Sequence, residues 1–487
     1  AVLGFPAPDE EVAVRYSISL PAAGSGRVAV NMSLPATAPK TTLIFGRAVP
    51  SSYGMALYEE SVNNLKAFNV QGEEIPVVRV ASTSRWTINE QDVKAITYEV
   101  DLVNMERTVL SGTDSSKVRP GYLSLLLYSV LAHVEGFDAL KTEITSVTTP
   151  AGWKTLCTYA PASYPSCGGP FVANGFYELV DHQVTSAAET IVTTASPPSS
   201  SVPFAASVYS ETTEVDTSVV AAVAREALEA VVATYGGAVF PSYSFHVEFL
   251  HPLSPTHTYN FCVEHMDSAT CVFDFSLALN KSSPESMHIR HLYNFAHHVA
   301  HSWVPKRLPE VGYYISGDPP VFLWEVLAPL RAIWFAEGFT QWVAMEATAS
   351  ALPKRERSAF VRNETAHRFV ETLNDMPTFL DKLSLVDVSL MASSFYSVDF
   401  RLGQRLVAAY FTRTCHHVTT CDVTSWHVTS YHTHVTTTSP CHHMPRHIMS
   451  SMSCVSFPLM SCRRRVDCLQ LCCKARSWQQ MSTRWVE

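Results

Sequence analysis

The residues best suited to chemistry in this 487-residue chain lie in two short stretches, HHVAHSW from His297 to Trp303 and WFAEGFTQW from Trp334 to Trp342. His297 and His301 are four residues apart, so on a helix their imidazoles project from one face. A carboxylate on a second helix, Glu337, would complete a three-ligand zinc site. With 20 histidines in the chain, an HxxxH pair arises by chance roughly once. Its weight therefore comes from its surroundings.

Two elements must position these side chains. Ser283 as N-cap, Pro284 at the first helical position, Glu285 in the first turn and the apolar series Leu292, Phe295 and Val299 predict a helix from Ser283 to Trp303. A second helix is expected from about Trp324 to Ala351, with Glu337 beside Gly338, a residue that weakens a helix but lets another backbone or a ligand approach closely. Between them, residues 304–322 are rich in proline and glycine and are expected to loop over the site. Lys306 and Arg307 open that loop, either holding a substrate carboxylate or serving as solvated helix-end cations or structural ion-pair partners.

Taken in order, these segments resemble the glycyl aminopeptidase family of zinc metallopeptidases, whose pattern runs HExxHxW, then basic residues, then WFxEGFTDY. Here it stands as HHVAHSWVPKR and WFAEGFTQW. The likeness extends upstream to CVEHMDS, Cys262 to Ser268, which is similar to the family's Gly-Gly-Leu-Glu-His segment, and to Gly121–Phe137, and it reaches about Thr414. The resemblance implies a gluzincin with a thermolysin-like catalytic domain, often followed by a PDZ domain. It further implies zinc held by His297, His301 and Glu337, and a peptide substrate whose free amino terminus is bound by Glu264. It makes Tyr396 a candidate hydrogen-bond donor to a developing oxyanion. For Glu264 the alternative is an exposed strand-end carboxylate, and for Tyr396 a packed core tyrosine.

Two positions depart from the family's pattern. The glutamate after the first histidine, which takes a proton from the zinc-bound water and passes it to the leaving amine, is His298 here. Four residues after Glu337, an aspartate is replaced by Gln341, which can accept a hydrogen bond from a ligand histidine without adding charge. Two functional readings follow. One is a zinc aminopeptidase weakened at its general base; the other is a catalytically inactive relative, a pseudoenzyme that binds peptides or a partner protein.

Composition frames these readings. A formal charge of −9 argues against broad nucleic-acid binding, and an apolar fraction of 47% is ample for sizeable cores. The longest apolar run, Tyr122–Ala132, is too short to span a bilayer. The chain starts at Ala1 rather than methionine, in keeping with removal of a leader. Sequons at Asn31, Asn280 and Asn363 suit a secreted or lumenal glycoprotein. The close pairs Cys157/Cys167 and Cys262/Cys271 either close short disulfide loops or remain buried thiols.

The expected fold class is α+β and multidomain. Alternating runs such as VRYSISL, RVAVNMSL and KAITYEVDL place an antiparallel β-sandwich at 1–185, and a Ser/Thr/Pro-rich connector covers 186–204. A mainly helical, thermolysin-like domain with a small sheet follows at 205–414, truncated relative to the family. It contains a helix at Asp216–Tyr235 stopped by Gly236-Gly237, and an edge strand at Tyr243–Leu250. From 415 to 487 there is no glycine, while eight of the 12 cysteines and eight of the 20 histidines crowd in. That composition is read as an atypical Cys/His-rich tail, disordered or translated out of frame.

Overall fold

The computed structural model describes most of residues 14–308, with gaps at 21–24, 36–40, 49–54, 91, 110, 139, 190–191, 194–201 and 254–258, together with 325, 330–365 and 383–396. The tail from 415 to 487 and the greater part of the expected loop over the site lie outside the described residues. None of the described helices is long and apolar enough to cross a membrane.

The N-terminal part is rich in sheet. A seven-stranded sheet has its centre in Val14–Ser19, Arg27–Ser33 and Val93–Asp101, and two four-stranded sheets accompany it. Burial alternates along these strands, as BiBiBi over Val14–Ser19, because successive side chains of a pleated strand point to opposite faces. The sheet is not wholly antiparallel, as expected from the sequence, since Val14–Ser19 runs parallel to Thr142–Thr148. Buried tyrosines direct their hydroxyls to backbone inside the core: Tyr16 donates to the Ala132 carbonyl (2.9 Å) and Tyr98 to that of Val130 (3.1 Å). Burial without a partner would cost each hydroxyl its hydrogen bonds to water.

The second core, from Val202 to Phe360 in sequence, surrounds a five-stranded sheet. Helix Thr217–Tyr235 carries Val220, Ala224, Ala227 and Val231 onto it. Asp216 caps the start of this helix by accepting from the backbone amides of Ser218 and Val219. Gly236, at φ +81°, closes the end in the left-handed conformation that a side chain would oppose. The expected helix and its stop are both present. Of the expected connector, 186–204, residues 190–191 and 194–201 lie outside the described residues, while Val192–Thr193 is a strand paired with Phe204–Ser210.

Strand Tyr243–Phe249 corrects the sequence reading. Its alternation of apolar and polar residues suggested an edge strand, yet it lies in the middle of the sheet, parallel to Phe204–Ser210 on one side and Ser268–Phe273 on the other. All seven of its residues are buried. The polar set Ser244, His246 and Glu248 faces the N-terminal part, not solvent. Glu248 pairs with Lys117 at 3.0 Å, with both side chains fully buried, and accepts the Tyr122 hydroxyl at 2.7 Å. His246 Nδ1 lies 2.8 Å from Ser207 Oγ and 3.1 Å from Thr185 Oγ1. The apolar run beginning at Tyr122 is thus a fully buried strand as far as Leu126, which accounts for its lack of alternation, followed by a buried helical turn at Leu127–Val130.

Both cysteine pairs are disulfide-bonded. Cys262 and Cys271 join directly opposed positions of two antiparallel strands, and Cys157–Cys167 closes a loop beside the second four-stranded sheet.

The buried Lys117–Glu248 pair leads to a stability prediction. K117M leaves the Glu248 charge uncompensated and is expected to cost about 3–5 kcal/mol, whereas K117M/E248Q, neutral and still able to accept from Tyr122, recovers most of the loss. Thermal denaturation of the two variants would show this; equal losses would contradict it. Burial, aided by the nearby His265, holds the His246 imidazole at about 3. Its folded value lies below its unfolded value of about 6.5. Above that pH both states are neutral, and as the pH falls from about 6.5 towards 3 the unfolded chain takes up a proton that the folded chain refuses. Stability should therefore drop by as much as ~1.4 kcal/mol per pH unit from this group. Melting curves from pH 7 to 4.5 should lose that share of their slope in H246Q.

Candidate metal centre

The histidine helix runs from Glu285 to Ala300, and His301 continues its conformation as the C-cap. Its start differs slightly from expectation. Pro284 occupies the N-cap position without a side-chain cap, its carbonyl accepting from the Met287 amide at 2.9 Å, while Ser283 Oγ receives the Asn280 amide instead. The buried residues Leu292, Phe295, Ala296 and Val299 set the rotation of the helix. Tyr243, on the central strand, donates to the His298 carbonyl at 3.4 Å and ties the helix to the sheet.

The second helix is shorter than expected. Residues 330–332 are not helical; the helix starts at Ile333, bends at Glu337 and continues as Gly338–Ala351. Glu337 keeps near-helical angles (φ −89°, ψ −48°), and its carbonyl accepts from the Gln341 amide at 2.8 Å. The two helices pack antiparallel. Glu337 stands opposite His297 and His301, and one turn later Gln341 meets Tyr293, one turn before His297.

The three donors converge. His297 Nε2 lies 3.3 Å and His301 Nε2 3.6 Å from Glu337 Oε2, and the two imidazole nitrogens are 2.9 Å apart. Zinc bonded at about 2.0–2.1 Å in a tetrahedral array keeps its ligand atoms about 3.3 Å apart. The spacing therefore fits a small divalent cation. His297 is 6% and His301 1% exposed, so the donors are largely withheld from water. Burial pulls the His301 imidazole down, but the carboxylates of Glu264 and Glu337 outweigh it and hold it at about 9. Burial raises the Glu337 carboxyl, and the two histidines overcome this to hold it well below the usual carboxylate range. Such a cluster attracts positive charge, either a proton or a metal ion. Among the described residues this is the only group of three or more His, Cys, Asp or Glu side chains with that geometry.

His301 is oriented by backbone. Its Nδ1 donates to the Val304 carbonyl at 2.9 Å, and the same carbonyl receives the Thr340 hydroxyl at 3.3 Å. Gln341 does not perform this role, since its side-chain oxygen accepts the Tyr293 hydroxyl at 2.5 Å. Thr340 and the Val304 carbonyl were missed from the sequence. Thr340 sits within the EGFT stretch, but a backbone acceptor leaves no mark in residue types.

His298 is buried beside the cluster. Its Nδ1 donates to the Asn294 carbonyl at 2.8 Å, which leaves Nε2 as the acceptor. Burial, then His297 and His301, push the imidazole well below its usual value, so it stays neutral and weakly basic. Glu264 ends strand Phe261–Glu264 and is 2% exposed rather than an exposed strand-end carboxylate. Burial raises its carboxyl, against the opposing fields of His301 and Lys306. Tyr396 is the last residue of helix Leu385–Tyr396, and its side chain lies outside the described residues. Lys306 and Arg307 are structural ion-pair partners: Lys306 reaches Asp181 at 3.0 Å and Arg307 reaches Asp267 at 2.5 Å.

Comparison with known proteins bears on this geometry. The profile of the Peptidase M61 N-terminal domain matches residues 15–187. Among solved structures, an aminopeptidase N family protein from Idiomarina loihiensis aligns over 83% of this chain with a TM-score of 0.67 and 16% sequence identity. The chain spans 65% of the length of that structure. No curated protein sequence matches this chain. The solved structure gives the chain an aminopeptidase N-like fold, with a sheet-rich N-terminal region, matched by the M61 N-terminal profile, and a helical C-terminal part.

If the three donors hold a metal, purified protein should bind one equivalent of zinc, and E337A or H301A should lose it. At a free zinc concentration of about 100 times the dissociation constant, binding adds ~2.7 kcal/mol of stability. Chelation should then lower the melting temperature of the unaltered protein while leaving that of E337A in place. Zinc retention by E337A, measured by metal analysis after dialysis, would count against the assignment.

Proposed function

We propose that this chain is a zinc aminopeptidase-like protein of the glycyl aminopeptidase type that binds the amino-terminal end of peptides and cleaves them slowly. The observation that carries this reading is the convergence of His297 Nε2, His301 Nε2 and Glu337 Oε2, spaced 2.9–3.6 Å. The M61 N-terminal match and the aminopeptidase N-like fold support it. When bound, zinc would act as a Lewis acid on a peptide carbonyl and would lower the pKa of water.

The chain's own residues would do the rest. His297, His301 and Glu337 hold the ion, with the Val304 carbonyl fixing the tautomer and orientation of His301. Glu264 receives the substrate ammonium, a charge-assisted contact that limits cleavage to the chain end. Tyr396 is the candidate donor to the oxyanion. Proton transfer falls to His298, and here the reading departs from a fully active enzyme. With Nδ1 committed to Asn294, a single neutral nitrogen replaces the two oxygens of a carboxylate, and no negative charge offsets the metal. Loss of a general base reduces turnover by about 100 to 10,000-fold.

That same substitution favours the second reading, an inactive relative that retains the metal and groove and binds peptides or a partner protein. Secretion into an oxidising compartment is part of the proposal, supported by the two disulfides and the exposed sequon residues Asn31 and Asn363.

His298→Glu separates the readings. Zinc-loaded unaltered protein should turn over amino-acid and dipeptide reporters slowly or not at all, and H298E should gain about 100-fold or more in kcat/KM. Robust chelator-sensitive cleavage by the unaltered protein would exclude the inactive relative. Zinc binding with no gain in H298E would leave only the binding role.

A further inference from the structure

Of the three sequons, that of Asn363 ends at Thr365, whose side chain lies outside the described residues, and the structure gives the other two opposite surroundings. Asn31 is the one exposed residue of strand Arg27–Ser33, on the face turned away from the core between the buried Val30 and Met32. Its register partners are Ser17 on one neighbouring strand and Thr97 on the other, and along its own strand the same face carries Ala29 and Ser33. All four are small. The larger chains beyond them are already engaged: Arg15 pairs with Glu143 at 2.9 Å, and Glu99 accepts from Asn64 Nδ2 at 3.0 Å and from Arg27 at 3.3 Å. Among the described residues, the side chains of Asn31, Ser17, Ser33 and Thr97 have no hydrogen-bond partner. A sugar attached at Asn31 would rest on flat polar ground and displace only water. Asn280 is the reverse case. Its Nδ2 donates to the Glu214 carbonyl at 2.8 Å, its Oδ1 accepts from the Ser282 amide at 2.8 Å, and its backbone amide donates to Ser283 Oγ at 3.0 Å. Glu214 stands two residues before Asp216, the cap of helix Thr217–Tyr235, so this side chain ties the turn ahead of the histidine helix to the start of another helix. A sugar on Nδ2 would take one of its two hydrogens and crowd the chain at Glu214.

Resting on the secretory reading above, we propose that Asn31 carries an N-linked glycan over the outer face of the seven-stranded sheet, and that Asn280, despite its sequon, is a structural residue that stays bare. The donor is an oligosaccharide held on a lipid diphosphate. Its anomeric carbon bonds to Asn31 Nδ2, which gives up a proton, while the bond to the diphosphate breaks and its electron pair leaves with the phosphate oxygen. Ser33, two residues on and on the same face, is the hydroxyl residue of the sequon. Transfer to a chain not yet folded reaches either asparagine, but only at Asn31 does the fold accommodate the bulky product.

The full chain is sent through the secretory pathway of a eukaryotic host by a supplied leader, purified from the medium, and treated with peptide N-glycosidase in heavy-oxygen water, which marks every asparagine that bore a glycan. Peptide mass spectrometry should find the mark at Asn31 in most molecules and none at Asn280. N31Q and S33A should each lose the mass of one glycan. N280A should keep its glycan mass and melt at a lower temperature, because the turn has lost its tie to Glu214. A bare Asn31, or a marked Asn280 in folded secreted protein, would overturn the inference. Should N31Q not fold, S33A, which keeps the asparagine, and enzymatic removal of the glycan from the folded protein, which should leave its melting temperature in place, decide the matter. Protein taken from the cells that naturally make it separates this inference from the secretory reading. Oxidised cysteines with a bare Asn31 would sink the glycan alone, whereas reduced cysteines with a bare Asn31 would sink the secretory reading and the inference with it.

Discussion

Three lone-pair donors brought within 3.6 Å of one another in a largely dry site repel unless a cation or a proton lies between them. That constraint organises much of the second half of the chain. The histidine helix is pinned to the sheet by Tyr243 and by its apolar face, and the glutamate helix is held against it by the Tyr293–Gln341 contact. Thr340 and His301 converge on one backbone carbonyl. Each contact removes a way for the donors to move apart, so the cluster is arranged before any metal arrives.

The two parts of the molecule meet through polar groups. An ordinary α/β sheet would bury apolar residues on both faces, but the face of strand Tyr243–Phe249 that meets the N-terminal part carries Ser244, His246 and Glu248, all buried, with His246 and Glu248 answered by Thr185, Lys117 and Tyr122 across the interface. Paired buried polar groups contribute little net stability, yet a misplaced partner is expensive, so they favour one relative placement of the parts. Asp181 extends this logic, since from the N-terminal part it accepts from the Met266 amide and from Lys306 Nζ of the second part.

His298 shows where the same scaffold and a given chemistry separate. Replacing a carboxylate with an imidazole leaves the helix intact, because the ring is satisfied by the Asn294 carbonyl one turn back. On the aminopeptidase-like reading proposed above, the change would fall on proton transfer, with the three converging donors left in place.

The sequence by itself determined the local elements and the identity of the donors. His297 and His301 at four-residue spacing, Asp216 and Gly236 as helix ends, the alternating strands of the first part and the two close cysteine pairs all depend on interactions within a few residues of chain. What only the tertiary structure decided involved partners distant in sequence. Tyr243–Phe249 read as an edge strand because alternation reports a polar face and does not say what covers it. Gln341 was matched to a histidine because it stands where the resembled family has an aspartate, but Tyr293, on another helix, took its oxygen. The Val304 carbonyl and Asp181 left no pattern in the sequence, since a backbone acceptor has no side chain to read and an ion pair spanning 125 residues has no period. Short-range preferences are written in residue order, whereas the choice among competing long-range partners is made only when burial forces each polar group to find one.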